Sequence, residues 1–231
     1  MGLKAFPYFY FANLRVANSS QTEYLTGIWI DDWSGSDKTS AIEELVFIYK
    51  PDLFLGSGQK IADLEGILRR GHFRDIAYVD SVADRSFVLA STRTILPIKF
   101  PNLGVRAWSG GVFSILLDQE REFQIGVMNL EPSINKENFE RNRVTARRLS
   151  SIMRDSSLSR LVAARFNTTP FSQFVSVYTE QAGMNSLMFG DRVMPTSNIL
   201  ISRDLERQGI QRIVDSGGDG DAFWFKIATN H

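Results

Sequence analysis

Clusters of apolar positions, some alternating and some at helical spacing, divide the chain into interleaved strands and helices. Phe6 to Val16, dense in aromatic and β-branched residues, reads as a first strand. Ala17 to Asp37 is polar and contains glycine, and reads as a surface excursion carrying Trp29 and Trp33. Ser40 with Glu43 forms a capping box ahead of Ile42, Leu45, Val46 and Tyr49, and that helix must stop before Pro51. Leu53 to Leu55 reads as a short buried strand and Ile61 to Arg70 as a helix. Four strand-like runs follow: Asp75 to Val79, Ser86 to Ser91, Val112 to Leu117 and Phe123 to Asn129.

Phe139, Val144, Leu149, Ile152 and Met153 recur at the spacing of one helical face over Glu137 to Arg154, leading into a strand at Arg160 to Ala164. A helix over Ser172 to Gln181 stops near Gly183. Strands are predicted at Ser197 to Ser202, Ile210 to Val214 and Ala222 to Ala228, with a helical or turn segment between the first two. The run of consecutive strands in the middle argues against a doubly wound parallel sheet. It predicts an α/β (α+β) fold of two packed mixed sheets flanked by helices.

Composition agrees with an ordered globular protein: 43% of residues are hydrophobic and 23% charged, enough for a single domain over residues 1–231. Lys plus Arg equals Asp plus Glu at 26 each, so binding to a phosphate backbone would need a local patch. Arg141, Arg143, Arg147, Arg148 and Arg154 offer one, close to Glu137, Glu140 and Asp155. The absence of cysteine excludes disulfides, thiolate metal sites and a cysteine nucleophile. The longest apolar runs, such as Leu45 to Tyr49, fall far short of the ~20 residues of a membrane span. The N-terminus lacks the small-residue cleavage site of a secretory signal, and localisation stays open.

Arg165-Phe166-Asn167-Thr168-Thr169-Pro170-Phe171-Ser172 resembles the Gly-Asp-Phe-Asn-x-x-Pro-x-Ser element of the endonuclease/exonuclease/phosphatase superfamily. Other landmarks follow in that family's order: Asn13 ending the first strand, Pro51-Asp52 opening the second, and Asn129-Leu130-Glu131-Pro132 after a middle strand. An Arg-rich helix comes next, then Ser197-Asn198-Ile199-Leu200-Ile201-Ser202 in place of an Asp-His-Ile-Leu-Val-Ser strand. Gly218-Asp219-Gly220 stands where Ser-Asp-His is expected. The likeness covers nearly the whole chain and implies the DNase I-like four-layer sandwich.

In active relatives a divalent ion polarises the phosphate and an Asp–His pair prepares the attacking water, chemistry that needs hard carboxylate ligands and a base. Here the metal-binding Glu falls at Ser57 or Gly58, and the Asp of Gly-Asp-Phe-Asn is Arg165. The two His positions are Met128 or Asn129 and Gly220. Neither remaining histidine, His72 in an expected surface loop or His231, restores the pair. The resemblance thus leaves a vestigial cleft of Asn13, Asn129, Arg165, Asn167, Ser197 and Asp219, with no catalytic residue, no metal and no cofactor expected. Asn167 is either a phosphate ligand or the residue that shapes the turn before Pro170. Arg165 is expected to pair with Asp219 across the cleft.

The expected function is a catalytically inactive domain serving as a protein-interaction or structural subunit, with Trp29, Trp33 and Trp108 in loops as candidate contacts for a partner. One alternative is a phosphodiesterase or phosphatase with a rebuilt Mg²⁺ or Mn²⁺ site using Asp52, Asp191, Asp219 or Asp221. Another is a non-catalytic phosphate or nucleic-acid binder that uses Arg165 in place of the ion. Gly56-Ser57-Gly58-Gln59-Lys60 is too short for a phosphate-binding loop, and Gly217 to Asp221 reads as a turn.

Overall fold

Leu25, Gly27 and Trp29 alternate with Ile28 and Ile30 in β1 (Glu23–Trp33), which enters the interior with apolar residues on both faces. The computed structural model describes residues 23–33, 38–58, 61–79, 86–97, 109–117, 121–130, 132–167, 173–187, 197–213 and 222–229. After β1 come α1 (Lys38–Tyr49), β2 (Leu53–Gly58), α2 (Ile61–Arg70), β3 (Asp75–Val79), β4 (Ser86–Ser91), β5 (Ile95–Pro97), β6 (Ser109–Leu116) and β7 (Glu122–Asn129). Then follow α3 (Lys136–Arg154), β8 (Ser159–Arg165), α4 (Gln173–Ser176) with a π-helical turn over Val177–Gln181, β9 (Met184–Ser186), β10 (Ser197–Ser202), β11 (Leu205–Ile213) and β12 (Ala222–Thr229).

The strands form two mixed six-stranded sheets, ordered β11-β12-β1-β2-β4-β3 and β5-β6-β7-β8-β10-β9. Their inner faces meet in one apolar cluster that draws Leu25, Trp29, Leu55 and Phe225 from the first sheet and Ile125, Val127, Leu161 and Ile199 from the second. α1 and α2 cover the outer face of the first sheet through Ile42, Val46, Leu64 and Ile67. α3 and α4 cover the second through Ala146, Leu149, Met153 and Phe174. The predicted layers of helix, sheet, sheet and helix are all present.

α2, β3, β4 and β10 occupy the residues predicted for them. Other segments differ. The stretch read as a surface excursion with Trp29 and Trp33 in loops is a central strand: β1 pairs antiparallel with β12 and parallel with β2, and Trp29 is fully buried. A strand apolar on both faces has no polar alternation to betray it. Phe6 to Val16, read as the first strand, lies outside the described residues, as does Trp108. α1 starts at Lys38, so Ser40 sits inside its first turn rather than capping it. The segment read as helical or turn before Ile210 is the first half of β11, which carries a bulge between Arg207 and Gly209. β5 and β9, three residues each, are too short to register as periodic patterns.

One contact ties the two sheets together and another packs the middle of the first sheet. Glu23, at the start of β1, accepts from Arg121 at 2.7 Å and from Arg93, tying that end of β1 to the start of β7. At the centre, the ring of Phe225 lies flat against Gly27: an added Cβ would meet its Cζ at 2.1 Å. Gly27→Ala is therefore expected to destabilise the fold by about 1–3 kcal/mol through overpacking. Phe225→Leu should recover part of that loss in the double variant. Urea denaturation of the two single variants and the pair checks this, and simple additivity would contradict the contact.

Candidate functional site

Side chains alternate along a strand, so the core itself tells which residues look inward. In β7 the inner positions are Phe123, Ile125 and Val127, followed by Asn129; in β8 they are Leu161 and Ala163, followed by Arg165. In β10, Ser197 precedes the inner Ile199 and Ile201. Register pairs Asn129 with Arg165 and Arg165 with Ser197, so these three stand side by side in one rank spanning about 10 Å. Asn129 and Ser197 are buried and Arg165 is half-buried. Across the sandwich, Ser57 continues the inner row of Leu53 and Leu55 in β2 and is also buried. Glu23 and Arg121 hold the strand starts together at the opposite end, so the far ends of β1, β2, β7 and β8 share this one.

The turn after β8 is built to hold Arg165. Asn167 adopts φ 50°, a left-handed conformation that asparagine tolerates better than most residues. Its Oδ1 accepts from Arg165 Nε at 2.7 Å, and its Nδ2 donates to the Leu130 carbonyl. The amide of Leu130 in turn donates to the Arg165 carbonyl at 2.8 Å. Between them, Phe166 turns to the outer side and meets Tyr178 edge-on at 5.9 Å. Tyr178 is fully buried in the π-helical turn, donates weakly to Met128 Sδ at 3.6 Å, and has its phenol pushed well above the ordinary value by that burial.

Of the predicted cleft residues, the structure brings Asn129, Arg165, Asn167 and Ser197 together. Asn13 and Asp219 lie outside the described residues, as do Asp191 and Asp221. β1, the strand that runs beside β2, ends in Asp31-Asp32-Trp33. Alternation also decides two ambiguous positions: Met128 and Asn198 face the helices, while Asn129 and Ser197 face inward.

Asp52 lies away from the Asn129, Arg165 and Ser197 rank. Its Oδ2 accepts from Thr26 N at 2.8 Å and Thr26 Oγ1 at 2.7 Å at the start of β2, the wrong end of that strand. His72 is exposed as expected, with Nε2 at 2.7 Å from the Pro51 carbonyl and its ring stacked on Phe73. Gly56 belongs to β2, where a Cβ would press on Val88 at 3.0 Å. On α3, Arg141, Arg143 and Arg154 are paired with Glu137, Glu140 and Asp155, which weakens the basic patch. No described helix is long and apolar enough to cross a membrane.

The divalent ion implied by the resemblance needs hard carboxylate oxygens. Among the described residues no three His, Asp or Glu side chains come together, and the rank of Asn129, Arg165 and Ser197 with Ser57 opposite offers hydroxyls, an amide and a guanidinium. That donor set does not fit the ion.

No family model and no curated protein matches the sequence. Solved structures do match the fold. An endonuclease/exonuclease/phosphatase from Bacteroides vulgatus superposes with a TM-score of 0.71 at 9% identity, covering 90% of this chain and 100% of that one. The catalytic domain of human Nocturnin with a bound sulfate anion gives 0.69 at 12% identity, covering 90% and 96%. A mannosyl-6-phosphatase from Bacteroides thetaiotaomicron gives 0.60 at 14% identity, covering 88% and 98%. The fold is therefore the DNase I-like sandwich of these proteins.

Asn167 supplies the test of the turn. Asn167→Ala loses both side-chain bonds and puts a residue that tolerates the left-handed region less well than asparagine at that φ, an expected cost of about 2–4 kcal/mol. Asn167→Gly loses the same bonds without the strain and should cost about 1 kcal/mol less. Equal losses in chemical denaturation would contradict the turn described.

Proposed function

We propose that this protein keeps the sandwich of the endonuclease/exonuclease/phosphatase structures without their metal-dependent hydrolysis, and serves as a protein-interaction or structural subunit. The observation that carries this reading is the guanidinium of Arg165 at the centre of the Asn129, Arg165 and Ser197 rank, clamped by Asn167. Arginine is cationic at all ordinary pH values, so the rank presents a permanent positive charge where a cation would need anionic oxygens. Ser57 and Asn129 add neutral groups that neither ligate a hard ion strongly nor take a proton near neutral pH.

A second reading has one observation behind it. β1 ends in Asp31 and Asp32 at the same end of the sandwich, and a phosphodiesterase or phosphatase with a rebuilt site could draw ligands from there. The nucleic-acid reading gains nothing comparable, since the arginines of α3 are largely paired with neighbouring carboxylates.

Hydrolysis decides between the first two. With Mg²⁺ or Mn²⁺, the purified protein is expected to turn over neither bis(p-nitrophenyl) phosphate nor p-nitrophenyl phosphate nor plasmid DNA above background. The same ions should leave its melting temperature unchanged, because an ion that does not bind the folded state cannot stabilise it. Arg165→Asp should lower stability and remain inactive, since one carboxylate restores neither base nor ligand set. Metal-dependent turnover that disappears in Asp31→Asn or Asp219→Ala would put the rebuilt enzyme first.

A further inference from the structure

α1 has apolar residues where an amphipathic helix should be polar. Ile42 and Val46 are buried against the sheet, yet Phe47 is 76% and Ile48 59% exposed. Phe47 and Val46 form one wall of a groove of about 380 Å³, and Ile67 and Gly71 from the end of α2 form the other. Gly71 lets the helix ends close up: a Cβ there would meet Val46 Cγ1 at 3.2 Å and the Leu68 carbonyl at 3.1 Å.

The rim of this groove is cationic. Glu43 is held by Arg70 at 3.1 Å, so the carboxylate is already neutralised. Lys50 stands at the mouth, exposed and with no ion pair among the described residues. It ends α1 at φ 41°, its amide donating to the Val46 carbonyl at 3.0 Å, in a left-handed conformation that glycine would adopt more cheaply. His72, with Nε2 tied to Pro51, completes the rim.

An exposed aromatic beside an apolar groove with excess positive charge is complementary to one kind of chain. We infer that the α1–α2 groove docks an acidic peptide segment of a partner protein, with an aliphatic or aromatic anchor seated against Phe47, Val46 and Ile67 and a flanking carboxylate facing Lys50, the cation that Glu43 does not compensate. This deepens the interaction half of the proposed function and is independent of its catalytic half. The groove opens beside Pro51 at the start of β2, the end of the sandwich away from Arg165. An active cleft would leave peptide binding untouched, and a groove that binds nothing would leave the inactive cleft as described.

Fluorescence polarisation on the full chain tests the inference, with a short labelled peptide of Asp and Glu around a central Leu-Phe pair. Controls carry Lys for the acids or Ala for the pair. The acidic anchored peptide should bind at least about tenfold more tightly than either control, and less tightly as salt rises. Phe47→Glu should weaken it about tenfold or more. Lys50→Gly should weaken it about threefold while raising the melting temperature, a combination that loss of folding cannot produce. Equal affinity for the Lys peptide, or unchanged binding in Phe47→Glu, would overturn the inference. So would a dimer in solution that Phe47→Glu dissolves, which would make a second copy the occupant.

Discussion

Two sheets packed face to face tolerate polar side chains on their inner faces only where one sheet stops covering the other, because a buried polar group without a partner is costly. In β7, β8 and β10 that limit falls at one level: Val127, Ala163 and Ile199 are the last apolar inner residues, and Asn129, Arg165 and Ser197 follow in the same rank. Hydrogen-bonded register thus turns three separate changes in sequence into one polar patch. The turn at Asn167 exists to satisfy that patch, since its amide answers both the Arg165 guanidinium and the Leu130 carbonyl.

Under the proposed reading, Arg165 takes over part of what a metal ion does and drops the rest. A tethered guanidinium neutralises nearby anionic groups and orders them through directional N–H donors. It has no vacant orbital to polarise a phosphoryl oxygen or acidify a water. On that reading, an arginine in this rank supplies positive charge without a Lewis acid.

Legibility in the sequence followed phase and punctuation. α2 repeats at helical spacing, and β3 and β4 are short apolar runs set off by polar residues, so their residues were readable directly. β1 was not, because Gly27 interrupts its apolar run, and the reason for that glycine is a ring on β12 nearly the whole chain away. The cleft residues Asn129, Arg165, Asn167 and Ser197 were recognisable from motif order. Which of each neighbouring pair faces inward was not, since choosing Asn129 over Met128 or Ser197 over Asn198 requires knowing the phase of the strand against its core. The Arg165–Asn167 bond was also hidden, because the sequence does not show the left-handed turn that ends β8 and sets the Asn167 amide against the guanidinium.

The outermost strands carry a different consequence. The second sheet ends in β5 and β9, three residues each, and the first ends on one side in β11, which is bulged after Arg207 and exposes Glu206, Arg207 and Gln208. Short, kinked or charged borders give a neighbouring molecule no straight ladder to extend. A chain with 17 phenylalanines and two broad sheets would otherwise be exposed to stacking strand on strand during synthesis, while its long-range pairings are still incomplete. Its borders therefore serve solubility on the way to the native state as much as they serve the native state itself.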